Sequence, residues 1–330
     1  MRSVRISHAL DTGALSLPES GRIAVFRPRA GDDLSALPRD RVQIVTVFKP
    51  DHDAFAAQGY ACVRKPDGAF AGALVCLPRA KAAALALIAQ AMAAVPQGGQ
   101  VIVDGQKTDG VDSVFKQCRA AGLTQGEALS KAHGKVFSIV AGPAPDGWAA
   151  VPQVVDGFTT LPGVFSADGP DRGSVLLAQA LPEKLGARVA DLGAGWGYLT
   201  RAILERPGVT EVQLIEADSD ALDCARLNIT DPRARFHWAD ATRFHPDRAF
   251  DTVVMNPPFH TTRDADPGLG AAFIRAAAAM LSPGGSLWMV GNRHLPYERV
   301  LAETFREVEQ IGGDSAFRLY RAARPLKIRP

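Results

Sequence analysis

No stretch of the chain reaches the ~18 consecutive apolar residues that a membrane span requires. The two nearest, 82–95 and 270–281, are broken by Gln90 and Arg275. The N-terminus, MRSVRISHAL, has no apolar core followed by a small-residue cleavage site, so no signal peptide is expected. Cysteine is scarce. Cys62, Cys76, Cys118 and Cys224 form no close pair, which argues against a disulfide scaffold or a zinc knuckle. No metal is expected, and a reducing cytoplasm is. Charge of one sign is missing too: Lys+Arg 37 against Asp+Glu 35 leaves +2, so the chain as a whole is no polycation.

What is present is a globular composition, 47% apolar and 22% charged. At 330 residues it exceeds one ordinary core and predicts two domains of roughly 100–200 residues each. The small surplus of positive charge is uneven. Residues 1–150 hold 17 basic and 13 acidic residues; residues 151–330 hold 20 and 22. From Ser315 onward the chain carries Arg318, Arg321, Arg324, Lys327 and Arg329 with no acid.

The second half alternates short apolar runs with helical patterns. RVADL (188–192), VQLI (212–215), RFHW (235–238), DTVVM (251–255), SLWMV (286–290) and 317–322 read as strands. Helices are expected from the glycine-rich turn through 204, and over 220–228, 270–281 and 297–305. This alternation predicts a parallel sheet with helices on both faces, binding its ligand at the carboxyl ends of the strands. The first half repeats the pattern. ALVCLPR (73–79) answers TVVMNPP (252–258), and Gly98, Gly99 and Gly105 answer Gly284, Gly285 and Gly291. An internal duplication follows, with a linker at GPAPDG (142–147) and a boundary near 150. A duplicated chain can mimic a dimer, so a monomer is expected. The copies differ where chemistry would sit. The first has Arg27-Pro28-Arg29 after its first strand and Leu77 where the second has Asn256.

Three carboxylates and one amide follow successive strands of the second copy. Asp191 opens D-L-G-A-G-W-G, with Gly193, Ala194, Gly195 and Gly197 in a turn that lets backbone approach a ligand. A dinucleotide fingerprint would need glycine at 198, where Tyr198 stands, so a nicotinamide dehydrogenase is disfavoured. Glu216, followed by Ala217, ends the second strand, where a carboxylate can accept from both hydroxyls of a ribose. Asp240, beside Ala241, follows the third. Asn256-Pro257-Pro258-Phe259 follows the fourth. An exocyclic amine has its lone pair delocalised into the ring. The Asn256 oxygen and the Pro257 carbonyl can hold its two hydrogens, the prolines stiffen the backbone, and Phe259 offers a face for a flat base. His237 and His245 have no acid–base partner in the sequence and read as surface or lid residues.

These motifs resemble those of the bacterial ribosomal RNA guanine-N2 methyltransferases that act on 16S rRNA. LPGVFSADGPDRGSVLLAQAL (161–181), DLGAGWGYLT (191–200), IEADSDALDCARLNI (215–229) and NPPFH (256–260) carry the resemblance. It implies an α/β chain of two tandem Rossmann-like methyltransferase domains. Residues 1–150 would be degenerate, with a structural or RNA-binding role. Residues 151–330 would be a catalytic class I domain built on a seven-stranded doubly wound sheet. The implied cofactor is S-adenosyl-L-methionine, with the adenine amine at Asp240. The implied partner is ribosomal RNA or the small subunit. Phe165, in the segment GVFS, reads equally as a cover over the cofactor or as a core residue. Adenine N6 or a protein glutamine remains as an alternative acceptor, since NPPF is shared with those enzymes. An RNA-binding assembly factor is the non-enzymatic alternative. Phosphate contacts would come from the Arg-rich C-terminus and from the first half, where Arg22, Arg27, Arg29, Arg39 and Arg41 cluster in sequence.

Overall fold

A computed structural model describes residues 2–258 and 267–326. The chain divides into two compact units, Met1–Pro152 and Gln153–Pro330. The first contains helices α1 (Arg2–Asp11), α2 (Lys49–Ala57), α3 (Lys81–Ala94) and α4 (Val111–Ala120). Its strands are β1 (Ile23–Phe26), β2 (Val42–Val45), β3 (Ala61–Val63), β4 (Gly72–Cys76), β5 (Gln100–Gln106), β6 (Thr124–Lys131) and β7 (Gly134–Val140). They form one sheet in the order β3-β2-β1-β4-β5-β7-β6, with β7 antiparallel to both its neighbours.

The second unit begins with a hairpin of β8 (Gln153–Val155) and β9 (Phe158–Thr160), then α5 (Arg172–Ala180). There follow β10 (Arg188–Leu192), α6 (Tyr198–Leu204), β11 (Glu211–Glu216), α7 (Ser219–Asn228), β12 (Ala234–Trp238) and β13 (Phe250–Met255). The unit ends with α8 (Pro267–Met280), β14 (Leu281–Asn292), α9 (Tyr297–Thr304), β15 (Phe305–Gly313) and β16 (Phe317–Pro325). Its sheet order, β12-β11-β10-β13-β14-β16-β15, is the first unit's order strand for strand. The chain is therefore two tandem doubly wound α/β units.

The central strands are mostly apolar because helices cover both faces. Alternate residues feed different cores. Ala190, Leu192, Val253 and Met255 join one buried cluster with α8 and α9, whereas Val189 and Val254 join another with α5, α6 and α7. Two elements lack such a signature. Strand β15 (FREVEQIGG) is a half-exposed edge with Glu307 and Glu309 outward, so it presents no continuous apolar run. The β8–β9 hairpin is too short to show a period.

The two sheets part company at their carboxyl ends. The Gly193 N–H donates to Ile215 O at 2.8 Å, and the Arg27 N–H donates to Val45 O at 2.8 Å, so Arg27 occupies the first unit's equivalent of Gly193. By that register Thr46, buried, stands at the place of Glu216. The same register corrects the expected pairing of Leu77 with Asn256: Leu77 falls level with Pro257, and the buried Cys76 stands at the place of Asn256, on the face where α1 inserts Arg5 and Arg2. Arg5 grips Asp104 of β5 through both carboxylate oxygens, at 2.7 and 2.9 Å, and Arg2 pairs with the same carboxylate at 3.0 Å. Arg5 Nη1 also donates to Lys131 O and Ala132 O. A buried ion cluster occupies these strand ends in the first unit.

The arginines clustered in sequence do not share a face. Strand β1 separates Arg22, which precedes it, from Arg27 and Arg29, which follow it. Arg41 donates to Pro18 O and Gly21 O, and Arg39 lies over the Tyr60 ring.

Removing Asp104 leaves two buried guanidinium groups facing one another. Asp104→Ala is expected to destabilise the first unit by about 3–5 kcal/mol, read as a lowered denaturant midpoint. An unchanged midpoint would show that the cluster contributes no stability.

Candidate active site

Strands β10, β11 and β13 run in parallel register, so Leu192, Ile215 and Met255 end level with one another. The residues that follow each strand meet above the sheet. The turn after β10 places Gly193, Gly195 and Gly197 at φ 71°, 55° and 94°, a left-handed backbone that favours glycine. A Cβ on Gly197 would press on Ile229 Cγ1 at 3.0 Å, whereas one on Gly195 would stand in open space. Gly197 thus serves packing. Gly195 keeps backbone bare beside a cavity.

Glu216 holds this turn. Its Oε2 accepts from the Gly195 N–H at 2.8 Å and its Oε1 from the Asp218 N–H at 2.7 Å. Burial pushes its carboxyl up to about 7, although these amides pull the other way. Each oxygen retains acceptor capacity for a further donor. Asn228 secures the turn from the other side. Its Nδ2 donates to Trp196 O at 2.8 Å and to Thr159 O at 2.9 Å, and its Oδ1 accepts from the Thr159 N–H. The Trp196 ring packs on Phe158, with centroids 4.7 Å apart, and its Nε1 donates to Phe165 O at 2.9 Å.

Asp191 lies behind the turn. Its side chain is fully buried; Oδ2 accepts from Thr200 Oγ1 at 2.6 Å, and Oδ1 meets no donor among the described residues. Burial pushes this carboxyl up to about 7 as well. Asp240 accepts from Thr242 through both the backbone N–H and Oγ1, and Ala241 beside it is buried. Ala217 O accepts from Trp238 Nε1 at 2.8 Å.

Asn256 follows β13 and faces a pocket lined by Gly193, Ala194 and Gly195, by Asp171 and Ser174 at the start of α5, and by Phe165 and Ser166. The Asn256 Nδ2 donates to Asp171 Oδ2 and to Ser174 Oγ, both at 2.8 Å. Its Oδ1 is buried and accepts from no donor among the described residues. Pro257 is buried behind it. Phe259 lies outside the described residues.

Phe165 is 62% exposed, so it is no core residue; it sits at the rim of the pocket. Its neighbour Ser166 holds φ 52°, uncommon for a residue with a side chain. Of the histidines, His245 is exposed. His237 is half-buried on β12 against Phe244, and burial pushes its pKa down. The surface reading therefore fails for His237, because the segment that follows β12 folds back and packs Phe244 on its ring. Asp171, Ser174 and Trp196 are pocket residues to which the sequence reading assigned no role. The one signal for Asp171 was its place three residues before Ser174 at a helix start, a capping pattern.

The first-unit cluster and this pocket are unlike in kind: one is filled by ion pairs, the other keeps bare backbone and an unmet amide oxygen. That amide oxygen, the open space at Gly195 and the acceptor capacity of Glu216 fit a nucleoside-bearing cofactor with an amine acceptor beside it. Among the described residues no group of three His, Cys, Asp or Glu side chains is placed to hold a metal, and no helix is long and apolar enough to cross a membrane.

Residues 156–321 match the model of the methyltransferase small domain family. The ribosomal RNA small subunit methyltransferase C of Hahella chejuensis is 28% identical over 326 residues, spanning 92% of this chain and 95% of that protein. The protein of that name from Pseudomonas aeruginosa is 30% identical over 273 residues, spanning 79% and 81%. Among solved structures, the T. thermophilus 16S rRNA N2 G1207 methyltransferase, in complex with AdoMet and guanosine, matches with a TM-score of 0.79 at 27% identity, covering 97% of this chain and 91% of that one. With a methyltransferase small domain in its second unit and relatives matched over most of its length, the chain belongs to the ribosomal RNA small subunit methyltransferase C family.

Proposed function

We propose that the chain methylates the exocyclic N2 of a guanine in 16S ribosomal RNA, using S-adenosyl-L-methionine. The observation that carries this reading is the buried Oδ1 of Asn256, which accepts from no donor among the described residues, on a side chain that lines one pocket with the glycine turn. When bound, S-adenosylmethionine supplies a methyl group on a sulfonium, an excellent leaving group. The chain's own residues then have three tasks. Glu216 accepts from the ribose hydroxyls, and Asp240 with the Ala241 amide receives the adenine edge. Gly193, Ala194, Gly195 and Gly197 let backbone close on the cofactor without side chains, with Ala217 beside Glu216 and Asp191 bracing the turn from behind. Phe165 closes the rim against water.

Asn256 Oδ1 and the Pro257 carbonyl take the two amine hydrogens, which turns the nitrogen lone pair toward the methyl group. The neutral thioether leaves as the N–CH3 bond forms, and the methylated nitrogen, acidic once it is cationic, gives its extra proton to water, so no strong base is required and the rate enhancement comes mostly from positioning in a dry site. The first unit binds no cofactor, because Arg27 and Thr46 replace Gly193 and Glu216; it contributes structure and RNA contacts. The substrate is ribosomal RNA, free or in the small subunit, and the chain works as a monomer.

Purified protein with labelled cofactor and small subunits or their RNA is expected to give label as N2-methylguanine after nuclease digestion. Label recovered as N6-methyladenine, or left on protein after ribonuclease, would transfer the chemistry to another acceptor. Asn256→Ala is expected to lower kcat by roughly 10²–10³-fold, the scale of one lost preorganised hydrogen-bond partner, while the cofactor Kd stays near wild type.

Glu216 also sets a pH dependence. The raised carboxyl is ionised above about 7 and protonated below it. Only the ionised form accepts on both oxygens, so bound cofactor pulls the pKa down. Cofactor affinity therefore falls as pH drops through 7. Between pH 8 and 6 the Kd is expected to rise about tenfold by linkage, measured by calorimetry. Glu216→Gln, which cannot titrate, should flatten that profile; a profile equally steep in the variant would remove Glu216 from the role.

A further inference from the structure

An asparagine can be an acceptor for the substrate amine only if its amide points the right way. Rotated by half a turn, Asn256 would present its NH2 to another NH2, donor against donor. The side chain's shape does not decide between the two orientations, since oxygen and nitrogen are nearly equal in size. A neighbour must decide.

We propose that Asp171 is the positioning residue that locks the Asn256 amide with its oxygen toward the substrate. This inference rests on the reading of Asn256 as the amine acceptor. The argument is one of donor inventory. A carboxylate only accepts, so the atom 2.8 Å from Asp171 Oδ2 has to be the amide nitrogen. The reverse orientation would set oxygen against oxygen there and lose a charge-assisted hydrogen bond. Ser174 Oγ, also at 2.8 Å from Nδ2, is indifferent, because a hydroxyl can donate as readily as it accepts. Asp171 therefore imposes the choice and Ser174 follows it.

Asp171 is itself fixed. It is the N-cap of α5, and the oxygen that receives Asn256 also accepts from the Ser174 N–H at 3.0 Å. Between them Gly173 leaves room: a Cβ there would lie 3.0 Å from Asp171 Oδ2 and 3.1 Å from the Phe317 ring. The segment Asp171-Arg172-Gly173-Ser174 thus serves as cap, spacer and second acceptor for one amide. The first unit lacks the whole arrangement. Cys76 stands in place of Asn256 there, and α1 carries Arg2 and Arg5 inward to Asp104.

The test separates capping from orientation by side-chain length. Asp171→Ser keeps an N-cap acceptor but is too short to hold Asn256. Asp171→Asn keeps a carbonyl oxygen at full reach and serves both. If orientation matters, Asp171→Ser lowers kcat roughly 10–100-fold with the cofactor Kd and Tm near wild type, and Asp171→Asn recovers much of the loss. If Asp171 only caps the helix, Asp171→Ser turns over like wild type, and the inference is overturned. A loss confined to cofactor Kd would also overturn it, placing Asp171 on the cofactor instead.

The double variant Asp171→Ser, Asn256→Ala distinguishes failure of this inference from failure of its premise. A residue acting through Asn256 adds no further loss once Asn256 is gone. Additive losses sink the positioning role alone. Full activity of Asn256→Ala by itself sinks the acceptor reading beneath it.

Discussion

Glu216 keeps a carboxylate where water hardly reaches, and the turn that lines the pocket depends on how that is arranged. Burial favours the neutral acid, yet two backbone N–H groups, from Gly195 and Asp218, are aimed at its oxygens. The bond to Gly195 joins the end of β11 to the turn after β10. The bond to Asp218 closes the chain toward α7, whose first turn Asp218 caps by accepting from Asp220 and Ala221. One side chain thus ties two strand ends and a helix start together at the place where a ligand would sit. The left-handed glycines, the Asn228 brace and the buried Asp191 all serve the same turn from other directions.

The first unit shows what the same frame does without that carboxylate. Its strand order is identical, but Thr46, Arg27 and Cys76 fill the three positions. The space over β4 and β5 is given to guanidinium groups from α1 held by Asp104. Buried ion pairs of this kind are weak sources of net stability, but they are costly to break singly. A doubly wound sheet therefore tolerates either an open pocket or a closed ionic plug at its carboxyl ends. The helix preceding the first strand decides which, since α5 brings Asp171 and Ser174 where α1 brings Arg2 and Arg5.

Much of this frame is legible in the sequence. Apolar runs such as RVADL and DTVVM announce buried parallel strands, and the glycine turn, Glu216 and Asn256 each directly follow one, so topology alone carries them to one end of the sheet. What escapes is whatever depends on exposure or on side-chain direction. β15 hides because an edge strand needs no apolar face. Phe165 looks equally suited to core or rim until its exposure is known. The splitting of Arg22 from Arg27 across β1 is invisible in a list of neighbouring arginines. The ionic plug hides for a further reason: its members, Arg5 and Asp104, are 99 residues apart and ordinary in composition.

Arg27 keeps φ 50° at the place where the second unit has Gly193 at φ 71°. A left-handed backbone costs a residue with a side chain about 1–2 kcal/mol, and arginine has no reason of its own to adopt it. The first unit's main chain thus keeps the outline of the second unit's turn while carrying a side chain where that turn has none.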